Sequence, residues 1–366
     1  MLCTRYVLTQ RNANPVRRSA FHNLSATSSN TDNHTPYKYG FILLRATPLT
    51  DATHVSFSRL FASGSTSSPD ADATSTSKEE EEDILDSITR FLPPTPSHAL
   101  RIRYYPHLSL FDASNLTDDG TAILDPSLSV RAALMKANAL WHSDLAYNPR
   151  RSSYSLLRAV ELPPFSLTGP DGEEEEVGGN TTEFADSRTA WEEFPDLEMK
   201  ERMEKGNWTG VYNAAYSRKL GAPDFFRDVN VEVGPMARHK VLQEHRESGR
   251  MNLCVGAYLW RLELHDNDND RKVVEGSEEI IKRLNEHVAQ KKYVTSVRWE
   301  QPGDLVIWDN RAVLHRAGEF KGMDKYRRDM RRTTAFDTGP TAWGLNGTGA
   351  ALPTLESMTK GKGPGA

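Results

Sequence analysis

His142 and Asp144 stand one residue apart in Trp-His-Ser-Asp-Leu-Ala-Tyr (141–147), an otherwise aromatic and aliphatic run. Read as a buried strand, the segment points both side chains to one face; on a helix they would fall on nearly opposite sides. Ionisable groups that face an interior need a partner, because an unpaired buried charge is costly. That partner is another side chain, a water or a metal ion. A further imidazole, His315, follows the Asp309-Asn310 turn of "PGDLVIWDNRAVLHRA". If His315 meets the earlier pair, two imidazoles and one carboxylate cover one face of an octahedral ion. Three positions stay open for a co-substrate and O2, the arrangement of non-haem Fe(II) oxygenases. In "RDMRR" the alternation puts Arg328, Met330 and Arg332 on one face. Guanidinium groups there could grip a dicarboxylate bidentately.

Each feature alone also has a plain reading. With 11 histidines in the chain, about one H-x-D triplet arises by chance. A solitary His315 reads equally as a hydrogen-bonded core or surface residue, and the arginines as a solvated face. Their order, spacing and flanking residues are what join them.

The elements that must position these groups read mainly as strands. Short apolar runs separated by turn residues include Gly40–Arg45, "YSLLRAVEL" (154–162), "MNLCVGAYLWRLEL" (251–264), "VTSVRWE" (294–300), "GDLVIWDN" and "RRTTAF". A helix capped by Thr50 or Asp51 follows the first strand, and "EEIIKRLNEHVAQ" carries Ile280, Ile281, Leu284 and Val288 along one apolar face. Many short strands with few helices predict a mainly β domain, a jelly roll or barrel with flanking helices.

A chain of 366 residues can bury a sizeable core. Residues 1–35 are rich in Arg, Ser, Thr and Asn and carry no acid before Asp32. They read as a disordered leader or a mitochondrial transit peptide. One domain spans 36–345, with low-complexity loops expected at 63–82 and 168–179 and a disordered tail over 346–366. "DNDND" (266–270) begins like a calcium loop but lacks the glycine and glutamate such a loop needs, and reads as a turn. Net charge is −5 with the signs interspersed, which argues against a nucleic-acid groove or a membrane-surface patch. No apolar run is long enough to span a bilayer. Two cysteines, Cys3 and Cys254, exclude a disulfide scaffold or a thiolate zinc cluster. A reducing, cytoplasmic setting is the simplest expectation, mitochondrial import by the leader the alternative.

Several motifs in order resemble the TauD/TfdA family of Fe(II)- and 2-oxoglutarate-dependent dioxygenases. They are "YGFILLRATPLTD", "NALWHSDLAYNPRRSSYSLLRAVELPP", "GGNTTEFADSRTAW", "SGRMNLCVGAY", "PGDLVIWDNRAVLHRA" and "RDMRRTT", spanning about Tyr37 to Asp337. "TEFAD" and "RDMRRTT" are similar to the 2,4-dichlorophenoxyacetate branch. The resemblance implies a double-stranded β-helix (a cupin-like jelly roll), with Fe(II), 2-oxoglutarate and O2 as cofactor and co-substrates. Residue by residue, it implies His142, Asp144 and His315 as iron ligands and Arg328 as the grip on the distal carboxylate of 2-oxoglutarate. Thr182 matches the assisting hydroxyl, with Thr181 one residue away as the alternative. Arg332 matches an arginine that meets an anionic group of the prime substrate, and Asn138 a substrate-pocket position. The implied reaction hydroxylates or oxidatively cleaves a small, anionic substrate and releases succinate and CO2. The Asp144 carboxylate favours this over halogenation, since related halogenases replace it with a small residue. The leader and "FSLTGPDGEEEE" depart from the family's pattern.

Two other classes remain open to the sequence. A zinc hydrolase also uses two histidines and a carboxylate with an open site, but needs no arginine facing a diacid. An idle binding protein on the same barrel is the other. The partner in each case is a small molecule; self-association into a homo-oligomer is left open. No G-x-S-x-G, P-loop or complete G-x-G-x-x-G occurs.

Overall fold

The computed structural model describes residues 7–9, 40–62, 85–86, 107–125, 130–168, 173–206, 208–265, 271–354 and 357. The expected low-complexity loop at 63–82 and the "DNDND" turn lie outside them, as do most of the leader and tail. Among the described residues, no helix is long and apolar enough to cross a membrane.

Two sheets enclose the site. The larger is six-stranded, in the order Val7–Thr9, Phe41–Arg45, Leu305–Asp309, Ser152–Glu161, Asp329–Phe336, Phe111–Asp112. A three-stranded sheet, Val294–Arg298, Thr181–Asp186 and Val313–Ala317, faces it. A four-stranded sheet (Arg271–Val273, Leu259–His265, Trp208–Tyr212, Ala237–Lys240) adds the remaining wall.

Ser152–Glu161 is buried from Ser152 to Ala159, so both faces of this strand are covered. Period-two alternation decides what each face meets. Tyr154 and Leu156 pack outward with Leu305 and Ile307 beneath Phe57 of the helix Asp51–Arg59 and Phe61 just beyond its end. That helix is capped by Thr50. Leu157 and Ala159 point inward onto Phe184, Val297, Trp299, Trp308 and Met330 from the facing sheet and neighbouring strands. Buried apolar clusters on both faces supply the hydrophobic drive for closing the sheets into a sandwich. The predicted apolar face of the other helix holds too: Ser277–Val288 buries Ile281, Leu284 and Val288 in the largest core cluster.

Four sequence expectations change. "WHSDLAY" is not a continuous strand: His142 forms an isolated antiparallel bridge, and the chain turns over Asp144–Tyr147 with Leu145 at φ +55°. The run 251–264 is two strands, Arg250–Leu253 and Leu259–His265, broken at Gly256, whose φ is +112°. A side chain on Gly256 would press 2.8 Å from the Trp141 carbonyl, so this loop lies directly against the backbone next to His142. The loop expected at 168–179 begins and ends in a short hairpin, Ser166–Thr168 with Glu174–Glu176. Within the expected disordered leader, Val7–Thr9 pairs in parallel with Leu43–Arg45.

Candidate metal centre

The bridge between His142 and His315 unites the two motifs. Each residue's N–H donates to the other's carbonyl, at 3.0 and 2.8 Å, and the ring centroids stand 4.3 Å apart. Asp144, carried around by the turn instead of by strand alternation, brings Oδ1 to 3.9 Å from His142 Nε2 and 3.7 Å from His315 Nε2. One ligand atom from each of the three buried residues lies within 4.8 Å of the others.

The donor set suits a divalent metal. The His142 Nδ1–H faces the Leu140 carbonyl at 2.7 Å, which leaves the Nε2 lone pair free on the Asp144 side. Burial lowers the pKa of His142 against the opposing pull of Asp144, and lowers that of His315 further, with His142 adding to the effect. Burial works to raise Asp144, but Arg332, the two imidazoles and Ser155 outweigh it and hold the carboxyl below its usual value. Two neutral imidazoles and an ionised carboxylate are the protonation states a metal takes.

A network that sequence reading passed over orients Asp144. Asn310 Oδ1 accepts from the Asp144 backbone N–H and from the Trp308 indole N–H, both at 3.0 Å. Its Nδ2 donates to Ser155 Oγ at 2.9 Å, and Ser155 Oγ donates to Asp144 Oδ2 at 2.7 Å. The Asp-Asn turn was legible; that its Asn reaches back 166 residues was not.

Arg332 enters the site on Asp144 itself, with Nη1 donating to Oδ1 at 2.5 Å while the guanidinium lies 4.8 Å over the Phe111 ring. Met330 is fully buried inward between the sheets, as the shared face requires. Arg328 is half-buried, with Nε donating to the Gly179 carbonyl at 2.8 Å and Nη1 to the Ala113 carbonyl at 3.2 Å. Among the described residues no carboxylate pairs with it, and burial pushes its pKa down to about 10. Thr182 is buried on the inward face with Phe184, its Oγ1 accepting from the Trp299 indole at 3.0 Å; Thr181 takes the other face, against Gly318. Asn138 sits half-buried on the 3₁₀ turn Ala137–Ala139 that leads into His142.

The family model for "Taurine catabolism dioxygenase TauD, TfdA family" matches residues 11–334. The chain belongs to the TauD/TfdA family. A relative from Burkholderia sp. (strain RASC), an alpha-ketoglutarate-dependent 2,4-dichlorophenoxyacetate dioxygenase, is 30% identical over 232 residues, covering 63% of this chain and 69% of that protein. An alkylsulfatase from Acinetobacter baylyi is 29% identical over 257 residues, 67% of this chain and 71% of that one. Among solved structures, that of AAD-2 in complex with Mn(II) and N-oxalylglycine aligns with a TM-score of 0.62 at 23% identity, covering 93% of this chain and 96% of that one. The jelly-roll architecture expected from the sequence is therefore that of TauD-type dioxygenases, and this TauD/TfdA member carries the His/Asp/His cluster at its centre.

Proposed function

We propose that this protein is an Fe(II)- and 2-oxoglutarate-dependent dioxygenase that oxidises a small anionic organic molecule. His142, Asp144 and His315 are the metal-binding residues. The observation that carries this reading is the convergence of their three buried donor atoms within 4.8 Å. Bound there, Fe(II) supplies the redox chemistry by which O2 oxidises the substrate while 2-oxoglutarate is converted to succinate and CO2.

The chain's own residues bind and orient. Arg328 offers the distal carboxylate of 2-oxoglutarate a half-buried guanidinium without a protein counter-charge, where charge-assisted bonds are strongest. The Trp299 N–H occupies one lone pair of Thr182 Oγ1 and leaves the hydroxyl proton free to donate beside it. Arg332 holds Asp144 ionised and oriented. The anionic character of the substrate rests on relatives named for 2,4-dichlorophenoxyacetate and for alkyl sulfates. A zinc hydrolase on the same triad has no use for Arg328.

The test is anaerobic loading with Fe(II) and 2-oxoglutarate, followed by admission of O2 and measurement of succinate. We expect a visible charge-transfer band on loading, lost in His142→Ala and Asp144→Ala, and succinate on oxygenation. Undiminished succinate in either variant would remove the metal assignment, and tight zinc with no 2-oxoglutarate binding would favour the hydrolase.

A further inference from the structure

The run Phe-Asp-Ala-Ser-Asn-Leu (111–116) ends against the arginine assigned to 2-oxoglutarate. Phe111 and Asp112 pair with Arg332 and Arg331. Past them the two chains stay side by side: the Ala113 N–H donates to the Met330 carbonyl at 2.9 Å, and the Asn115 N–H to the Arg328 carbonyl at 3.1 Å. In return the Arg328 N–H donates to Asn115 Oδ1 at 2.8 Å. A side-chain amide thus takes the place of a strand carbonyl. The other end of that amide is engaged as well, with Nδ2 donating to the Met323 carbonyl at 2.7 Å and the Tyr326 carbonyl at 2.8 Å. Both carbonyls lie in the turn-rich connection 318–328, between the strand that carries His315 and the strand that follows Arg328. Asn115 is 8% exposed. One buried planar group with an acceptor and two donors ties three points of this connection together.

Asn115 is itself held. Arg131, on the helix Val130–Lys136, donates through Nη1 to the Leu116 carbonyl at 2.8 Å and through Nη2 to the Ser114 carbonyl at 3.2 Å, and pairs with Asp112. Arg131, Asp112 and Ser114 are all buried, where such bonds are stronger than in water. The same run supplies the Ala113 carbonyl that receives Arg328 Nη1, while the Gly179 carbonyl takes Nε from another side. An added Cβ on Gly179 would press 2.7 Å from the Phe320 ring, so this approach requires glycine. Two carbonyls fix the guanidinium plane, and its other N–H groups are left for a ligand among the described residues.

We propose that Asn115 is a positioning residue for 2-oxoglutarate. Its amide fixes the backbone from Met323 to Arg328, so the guanidinium stands in place before the co-substrate arrives. A group ordered in advance binds without the entropy loss that a mobile one incurs. This deepens the reading of Arg328 as the grip on the distal carboxylate and rests on it.

Calorimetry on the Mn(II)-loaded protein compares N-oxalylglycine with N-methyloxamate, which keeps the chelating end and lacks the distal carboxylate. The unaltered protein should favour N-oxalylglycine, and Arg328→Gln should abolish the preference. No preference in the unaltered protein, or one kept in Arg328→Gln, removes the grip and this inference with it. Asn115→Ala should weaken N-oxalylglycine binding by about tenfold, while N-methyloxamate and Mn(II) bind as in the unaltered protein. An undiminished preference in Asn115→Ala, or equal losses for both ligands, overturns the positioning role and leaves the grip standing. Hydrogen–deuterium exchange tests the same point without a variant. In the unaltered Mn(II)-loaded protein, peptides covering 323–329 should exchange slowly before any ligand is added. Fast exchange that slows only with N-oxalylglycine would show that the ligand orders this segment, and overturns the inference.

Discussion

Truncating Asn310 to alanine should loosen the metal site without touching a ligand. Asn310 is 6% exposed, and its side chain makes four hydrogen bonds in the barrel: from Asp144 N–H and Trp308 Nε1–H at 3.0 Å each, to Ser155 Oγ at 2.9 Å and to the Ser153 carbonyl at 3.2 Å. Alanine strands two buried donors, each costing about 1–3 kcal/mol if left unmet. Water entering the vacated space recovers part of this, so we expect a stability loss of about 3 kcal/mol. The larger consequence is local. The Asp144 N–H bond pins the start of a turn whose next residue, Leu145, holds φ +55°, and Ser155 loses the donor that orients it toward Asp144 Oδ2. Loss of such outer contacts costs roughly ten- to a hundredfold in metal affinity. Mn(II) binding followed by electron paramagnetic resonance, at a temperature where urea titration shows the variant fully folded, measures this directly. Wild-type Mn(II) affinity in folded Asn310→Ala would refute the reasoning, because the network would then be serving the fold alone.

Arg328→Gln should weaken 2-oxoglutarate binding to the Mn(II)-loaded protein by about ten- to a hundredfold, read by calorimetry; an unchanged dissociation constant counts against the grip. Stability should fall as pH drops from about 6.5 to about 4, because burial holds the His239 imidazole at about 4 while the unfolded chain protonates near 6.5. A depressed folded-state pKa leaves the contribution complete above 6.5 and gone below about 4, a change of about 3 kcal/mol. His54, held by burial at about 3, extends the loss to lower pH. Urea midpoints across this range should flatten by about one proton's slope in His239→Gln, and an identical slope would reject the assignment. Gly40→Ala should destabilise by about 1–3 kcal/mol: at φ +81° its Cβ would overlap Val313 Cγ1, on the strand that carries His315. A thermal midpoint equal to the parent's would show that Val313 yields freely.

The strands were readable wherever turn residues framed a short apolar run. Leu305–Asp309 and Val313–Ala317 lie where "GDLVIWDN" and "AVLHRA" put them. Period-two alternation was to put Arg328, Met330 and Arg332 on one face; Met330 and Arg332 lie on the strand Asp329–Phe336, whereas Arg328 precedes it, ahead of an irregularity between Asp329 and Met330. The failures have local causes: Asp144 reaches the site through a turn, and Gly256 interrupts a run that hydropathy alone reads as continuous.

By itself the sequence determined the inventory: two imidazoles, one carboxylate and an arginine-bearing strand, in an order that resembles a known family, on a chain patterned for a mainly β domain. Types and order are local properties of the polypeptide, written residue by residue. Tertiary structure alone decided that His142 lies across from His315, that Asn310 holds Asp144 and that Arg332 is paired with Asp144. Those outcomes depend on the register and packing of segments far apart in the chain. A shift of one residue in a strand would turn each side chain to the opposite face.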